Sequence, residues 1–328
     1  MATPAIRMFR RLEGLFCVYK PSGVHWELVR DTIETNLLKG VNSTPSLPLP
    51  REVRFLALEG SDSEAPKALR LTAVSVPVLS KHPLVTGPEF RHIKVGVGHC
   101  LDTPSSGVLV LGVGNGNRTL NDFYRARVTR DYTLEGEFGT ATEDFSHTGR
   151  VVERSTYDHI NQDNLNRVLA ALEGANQKAL LTYSNIDMNS QEAYELAVQG
   201  LLGPDGKSPP ILTGLRCIRF QPPNFTLEVQ CLNETQKYLR KVVHEIGLEL
   251  RSTAVCKGVR RTRDGSFALQ DALTRHHWTA LDVHQAIRKY HSSKKGKKLF
   301  RSRKKEPPLS EDDTSSDNET SRNKEVAG

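Results

Sequence analysis

Asp102 is the residue in this sequence that is best placed to direct a carboxylate at a substrate. It lies in the polar stretch 98–107, immediately before the apolar run 108–111. The run predicts a strand buried on both faces, and Pro104 and Gly107 restrict the loop on one side of the acid. A carboxylate on a stiff loop above a buried strand suits a group that must be aimed. The alternative is an Asx turn, in which Asp102 only caps its own loop.

Several other kinds of chemistry are excluded by what the sequence lacks. It contains no phosphate-binding glycine loop, no dinucleotide fingerprint, and neither HExxH nor GxSxG. The histidines do not cluster at ligand spacing, so we predict no metal site, and an enzyme of this sequence would need no redox cofactor or nucleotide. The five cysteines stand singly, which is typical of reduced thiols in an intracellular protein; they are Cys17, Cys100, Cys217, Cys231 and Cys256.

Length and charge bound the class of protein further. The chain has 328 residues and a formal net charge of +7, which suits a polyanionic partner. No apolar run approaches the roughly 20 residues that span a bilayer, so we predict no membrane insertion.

Helical and strand patterns alternate irregularly along the chain, without the rhythm of βαβ units. This mixture predicts an α+β fold with a largely antiparallel sheet. The stretch 43–67, rich in Ser and Pro, is predicted to be a loop or an insertion. Strands are predicted at 15–19, 108–111, 131–139, 211–220, 225–231 and 255–259, and helices at 118–127, 163–173, 185–200 and 238–248.

Together these segments carry a family resemblance. The pattern Gly98-His99-x-Leu101-Asp102-x-x-x-Ser106-Gly107-Val108-Leu109 resembles the catalytic signature of TruB-type pseudouridine synthases. The resemblance covers roughly residues 12–275 and is closest to the shorter, mitochondrial branch found in vertebrates. Five further stretches match in the same order: Lys20-Pro21-x-Gly23; Asp131-Tyr132 with Gly139; Tyr183-Ser184 with 193–197; Tyr238-Leu239-Arg240; and 261–267.

The resemblance implies a reaction and roles for three residues. The reaction turns uridine in RNA into pseudouridine, with no redox change, no cofactor and no energy source. Asp102 is implied as the covalent nucleophile, and Arg240 as the partner that keeps it ionised. Tyr132 is implied to stack on the flipped uracil and to handle a proton. Attack at C1′ and attack at C6 of the ring both remain open.

Further residues are expected to bind the RNA. Tyr238 and Val259 match positions that line the base pocket, Lys20 is expected to support its floor, and His99 matches an RNA contact. Flipping a base costs a few kcal/mol, which contacts to the surrounding RNA must offset. The cations that we expect to make those phosphate contacts, on the rim of the base pocket, are Arg91, Lys94, Arg125, Arg127, Arg130, Lys241, Arg260 and Arg261.

Departures from the bacterial members of the family lie on the substrate side. His99 is two residues closer to the aspartate than in those members, and Asp187 and Val198 replace a lysine and an arginine. The target is therefore open among transfer, messenger and ribosomal RNA. A second hypothesis keeps the fold but makes the protein an RNA-binding or assembly factor with little catalysis.

The two ends of the chain give the domain limits and the location. Residues 1–12 carry arginines and no acid, which is typical of a mitochondrial presequence. The synthase domain is predicted over 13–290 without an appended PUA domain, and 291–328 as a disordered tail, basic and then acidic. The basic run could also act as a nuclear import signal. We predict a mitochondrial protein that binds RNA, with partners in RNA processing or ribosome assembly.

Overall fold

A single sheet organises the described part of the chain. The computed structural model describes residues 4–43, 49–58, 70–126, 128–183, 191 and 210–303. Within these residues the sheet has eight strands, which are β1 Gly14–Lys20, β4 Val95–Val97, β5 Ser106–Val113, β6 Arg130–Phe138, β9 Ile211–Gln221, β10 Asn224–Leu232, β11 Ala254–Asp264 and β12 Phe267–Ala268. Two small hairpins stand apart from it: β2 Arg51–Leu58 with β3 Arg70–Pro77, and β7 Thr140–Thr142 with β8 Val151–Arg154.

The strand order brings distant parts of the sequence together. The sheet runs β1-β5-β11-β6-β10-β9, with β4 beside β5 and β12 beside β11. The described pairs are antiparallel apart from β5 and β11, which run parallel where Ser106 and Gly107 face Arg260 and Arg261. The predicted α+β class with a largely antiparallel sheet is confirmed. The start of β5, directly after Asp102, therefore lies beside the middle of β11.

Helices cover the sheet and close the hydrophobic core. The helices are α1 Pro4–Arg11, α2 Trp26–Asn42, α3 Pro83–Thr86, α4 Gly116–Arg125, α5 Gln162–Tyr183, α6 Gln236–Glu249 and α7 Ala280–Arg303. One cluster of buried residues includes Leu165 and Leu169 of α5 and Leu239 and Val243 of α6, packed on β6, β10 and β11. Another includes residues of α1, α2 and α7 packed on β1 and β5.

Helix α1 falls within the predicted presequence, and it packs against the core. Ala5 and, just after the helix, Leu12 are buried. The ring of Phe9 stacks on that of Phe90, with 4.5 Å between the centroids. A compact unit of the chain ends at Tyr290, and a second begins at His291.

Some elements differ from the sequence-based expectation. Of the two alternatives predicted for 43–67, a loop or an insertion, the loop is wrong for Arg51–Leu58, which forms strand β2. Helix α2 was not predicted, although Val29, Ile33 and Leu37 are buried at four-residue spacing. Strand β11 continues through Asp264, beyond the predicted end at 259. The predicted helix at 185–200 lies outside the described residues, apart from residue 191.

Candidate active site

Asp102, in the loop before β5, and Arg240, on α6, form an ion pair. The Arg240 Nη2 atom lies 2.7 Å from Asp102 Oδ2. The Asp102 side chain is 30% exposed and that of Arg240 is 15% exposed, so the carboxylate is paired yet open to a substrate. The other oxygen, Oδ1, accepts a hydrogen bond of 3.2 Å from the Ser105 N–H. One carboxylate oxygen therefore caps the loop, as in the Asx turn, while the other pairs with the arginine.

Helix α6 fixes the position of Arg240. Its N-cap is Thr235, whose hydroxyl oxygen accepts a 3.2 Å hydrogen bond from the Tyr238 N–H. The side chains of Leu239 and Val243 are buried against the sheet and anchor the helix. Arg240 thus extends from a capped and packed first turn, which limits the entropy lost when it pairs with Asp102.

The segment 20–23 holds the C-terminal side of the Asp102 loop. The buried Lys20 Nζ donates to the carbonyl oxygens of Ser105, Pro21 and Thr103, at 2.6, 3.1 and 3.2 Å. Ser22 Oγ donates to the Pro104 carbonyl at 2.7 Å, and the Gly23 N–H donates to that of Thr103 at 2.9 Å. Lys20 supports the loop and does not pair with the Asp102 carboxylate in an ion pair.

Arg261 holds the N-terminal side of the same loop from beneath. Its Nη2 donates to the His99 carbonyl at 2.6 Å, and its Nε donates to that of Val108 at 2.8 Å. Its Nη1 lies 3.7 Å from Asp264 Oδ2. The Arg261 side chain is completely buried, and so is that of Asp264. We call Lys20 and Arg261 the loop clamp, because they bind the backbone on both sides of Asp102.

These positions correct part of the predicted RNA interface. Arg261 and Arg130 were expected to touch phosphates on the rim, but both are buried and engaged inside the protein. His99 also faces inward, since its Nδ1 lies 3.5 Å from Asp264 Oδ1 and its side chain is only 17% exposed. Burial would raise the pKa of Asp264, but the Arg261 guanidinium and His99 outweigh it, so the pKa lies below its ordinary value.

Gly107 permits the close approach of β5 to β11 at the clamp. Its φ is +115°, and a Cβ there would lie 2.1 Å from the Arg261 carbonyl oxygen. A side chain at this position would clash with backbone atoms, which cannot move aside.

Tyr132 lies in the core behind the site. It has no exposed surface, and its hydroxyl donates to Glu234 Oε1 at 2.6 Å. The Nε of Arg130 lies 2.8 Å from the same Glu234 oxygen. Burial raises the pKa of Tyr132 well above its ordinary value, so the phenol stays neutral. No described hydrogen bond or ion pair links it to Asp102, and stacking on a base would require this part of the core to open.

The remaining residues that were predicted to bind RNA are either packed in the core or exposed at the surface. Val259 is buried in the core cluster that also contains Leu101 and Tyr132, and Tyr238 packs at the edge of that cluster. Of the rim candidates, Arg127 lies outside the described residues. The others that remain at the surface are Arg91, Lys94, Arg125, Lys241 and Arg260.

Two buried acids, Glu234 and Asp264, were not found from the sequence. Glu234 neutralises the buried Arg130 of β6. Asp264 neutralises the buried Arg261, which lies three residues before it on β11. An isolated acid before a helix or at a strand end is ordinary, so nothing in its local pattern marks its burial.

Among the described residues no group of three or more His, Cys, Asp or Glu side chains could hold a metal ion. In the same part of the chain, no helix combines the length and the apolar character needed to cross a membrane.

Lys20 makes the site sensitive to pH. Burial lowers the pKa of Lys20 to about 8, with Asp102 acting in the opposite direction. Above that pH the amine keeps two N–H donors for three carbonyls, so we expect turnover to fall as the pH rises through about 8. The stability should respond oppositely. Between about 8 and the unfolded value of 10.5 the unfolded chain binds more protons, so this group makes the free energy of unfolding rise with pH.

The two quantities can be measured on one preparation. Turnover and urea unfolding would be followed at closely spaced pH values from neutral to the onset of alkaline denaturation, for the wild type and for Lys20→Met. A pH profile of turnover that is the same in Lys20→Met, relative to its own maximum, would contradict the assignment.

Comparisons with known proteins identify relatives of this chain. A family model described as TruB family pseudouridylate synthase (N terminal domain) matches residues 88–237. The protein called "Pseudouridylate synthase TRUB2, mitochondrial" of Xenopus tropicalis is 54% identical over 298 residues, which cover 90% of this chain and 91% of that protein. The Homo sapiens protein of the same name is 57% identical over 281 residues, covering 85% of this chain and 84% of that one.

Solved structures give a more distant match. The "archaeal box H/ACA sRNP Nop10-Cbf5 complex" matches with a TM-score of 0.46 and 14% identity, covering 86% of this chain and 61% of that one.

The sequence relatives define the class of this protein as a pseudouridylate synthase. The chain belongs to the TruB family, and the predicted resemblance and enzymatic reaction are confirmed. Both relatives are named as mitochondrial, which confirms the predicted location and disfavours the nuclear alternative. Their names also favour catalysis over a role limited to binding or assembly.

Proposed function

We propose that Asp102 is the nucleophile of this synthase and that its substrate is a uridine in mitochondrial RNA. The observation that carries the proposal is the ion pair of Asp102 with Arg240 at 2.7 Å, on a carboxylate that is still 30% exposed. A nearby guanidinium favours the charged form of a carboxylate, which is the form that attacks. The loop clamp keeps that carboxylate aimed.

The reaction needs only groups that the chain and the substrate contain. The bond between C1′ and N1 of uracil breaks, the base turns, and a bond forms between C1′ and C5. C5 loses its hydrogen as a proton, and N1 gains a proton, so the product is an isomer of the substrate. Asp102 bonds to either C1′ or C6 during the reaction and is released at its end, so the carboxylate is regenerated.

The target RNA is proposed at the level of its class. Mitochondrial messenger, transfer and ribosomal RNA all contain uridines that could reach the carboxylate once flipped. A complex for mitochondrial RNA processing or ribosome assembly would supply such RNA. The RNA strand must enter from the exposed side of Asp102, because the other side is the packed loop.

Hydrogen release from C5 of uridine tests this function. RNA from cells that lack the protein would be labelled with tritium at C5 and incubated with the pure protein. We expect label to be released as water, whereas RNA labelled at C6 should retain its label under the same conditions. Absence of release from every RNA pool, with RNA binding intact, would overturn the proposal.

A further inference from the structure

A concave surface away from Asp102 lies between the C-terminal half of α2 and the segment 275–280. Its volume is about 510 Å³. The buried ring of Trp278 forms part of its wall and is fixed by a 3.0 Å hydrogen bond from its Nε1 to the Leu273 carbonyl. We call this surface the α2 groove. It is lined by Asn36, Lys39, Gly40, Ser43, Arg275, His276, Trp278, Thr279 and Ala280.

The α2 groove is basic, and its cations have no acidic partner among the described residues. Lys39 and Arg275 are exposed, and neither makes an ion pair with any residue that the structure describes. No Asp or Glu lines the groove. The neighbouring Asp282 is already engaged by Thr279, whose hydroxyl donates to it at 2.8 Å. By contrast, Arg240 and Arg263 each pair with a carboxylate.

We propose that the α2 groove binds the phosphate backbone of the RNA that carries the target uridine, and this rests on the proposed function. Exposed cations beside an open groove attract phosphates through charge and counterion release, without reading bases. His276 and the Asn36 amide add hydrogen-bonding groups to the same surface, whereas the Ser43 hydroxyl already donates to the Gly40 carbonyl at 3.0 Å. An acidic protein segment is the competing occupant that the test must separate.

Helix α2 links the groove to the catalytic site. It begins at Trp26, just after the segment that holds the Asp102 loop, and Lys39 lies thirteen residues later. At 1.5 Å per residue this is about 20 Å. That distance corresponds to about six phosphates of a stacked strand at about 3.4 Å each. A single RNA element could therefore place a uridine at Asp102 and its flank in the groove.

Two of the predicted rim cations are buried, which leaves fewer phosphate contacts close to the target base. Base flipping costs free energy that contacts outside the pocket must offset. Arg130 and Arg261 make no such contact because they are inside the protein. The unpaired cations of the groove are placed to supply it.

The test compares long and short RNA. Fluorescein-labelled oligouridines of about 30 and about 5 nucleotides would be titrated with the full-length protein at several salt concentrations. The shorter probe spans about 17 Å when stacked, which is less than the distance of about 20 Å along α2. For Lys39→Glu/Arg275→Glu we expect the longer probe to bind at least about fivefold more weakly. The slope of log affinity against log salt should become shallower by about 1.4, or about 0.7 for each phosphate that is no longer neutralised. Affinity for the shorter probe should not change.

A control places a cation-to-glutamate substitution at the far edge of the sheet, where it changes the charge by two units, against four in the double variant. The Arg219 side chain on β9 is exposed and, among the residues that the structure describes, donates only to the neutral Gln221. Arg219→Glu should leave the affinity for the longer probe within about twofold of the wild type. An equal loss in Arg219→Glu would show a general charge effect and overturn the site.

Two other outcomes also overturn the proposal. One is unchanged affinity and salt slope for the longer probe in the double variant. The other is loss of binding to polyglutamate, with RNA binding intact, which would assign the groove to an acidic protein partner. Circular dichroism spectra of the variants would show that they are folded. Release of C5 label by the wild type tests the proposed function separately, because it does not depend on the groove.

Discussion

Asparagine in place of Asp102 is expected to abolish release of the C5 hydrogen while leaving the protein folded. The substitution removes the proposed nucleophile, with its charge, and the ion pair with Arg240. It keeps an oxygen that can accept the 3.2 Å hydrogen bond from the Ser105 N–H, so the loop should keep its turn. We expect turnover to fall to the background rate and the free energy of unfolding to change by less than about 2 kcal/mol. Tritium release and urea unfolding measure the two quantities.

Asp271 offers a matched control for this substitution. Its carboxylate accepts a hydrogen bond of 2.8 Å from Lys289, and its side chain is 36% exposed, close to the 30% of Asp102. Asp271→Asn also breaks one exposed ion pair, but far along the chain from the loop. It should keep turnover within about twofold of the wild type. Residual turnover in Asp102→Asn above that of a protein-free sample would show that another group attacks the uridine.

The elements with regular apolar patterns were predictable from the sequence. The run 108–111 becomes the fully buried centre of β5, and the predicted strands 211–220 and 225–231 become β9 and β10 within two residues. These segments bury alternating or continuous apolar side chains, and the pattern of a sequence reports this directly. The position of Asp102 at the mouth of β5 follows from the same pattern.

The Arg261 half of the loop clamp was not predictable in the same way. The segment 260–264 is strongly charged, so its pattern indicates the end of a strand, yet β11 continues through it. Its burial depends on acceptors from elsewhere, namely the carbonyl groups of His99 and Val108. Hydrogen bonds between segments more than 150 residues apart leave no local signal. Burial of a charged group is favourable only when such partners are present, and these are known only from the fold.

The family resemblance supplied what local patterns could not. Arg240 by itself is an ordinary helix arginine, and the resemblance alone assigned it to Asp102, with which the structure pairs it. The resemblance gave no information on exposure. Arg130 and Arg261 were therefore expected on the rim, whereas their charges are balanced inside the protein by Glu234 and Asp264.

Methionine in place of Arg261 is expected to destabilise the protein severely and to disorder the Asp102 loop. Methionine preserves much of the volume but leaves the carbonyl groups of His99 and Val108 without their donor. It also leaves Asp264 buried without its arginine. Removing one partner of a buried ion pair costs about 3–5 kcal/mol, which is a large fraction of the stability of a domain. Urea unfolding of the purified variant measures the loss.

Arg263 provides the control because it lies on the same strand and is also paired. Its guanidinium binds Asp131 through two hydrogen bonds of 2.6 and 2.7 Å, but its side chain is 29% exposed. Water can replace part of that contact, so Arg263→Met should cost only about 1–2 kcal/mol. Arg261→Met/Asp264→Leu should recover part of the loss, because the stranded carboxylate is gone while the two carbonyl groups still lack a donor. If Arg261→Met were no more destabilising than Arg263→Met, the Asp102 loop would have to be held by the segment 20–23 without Arg261.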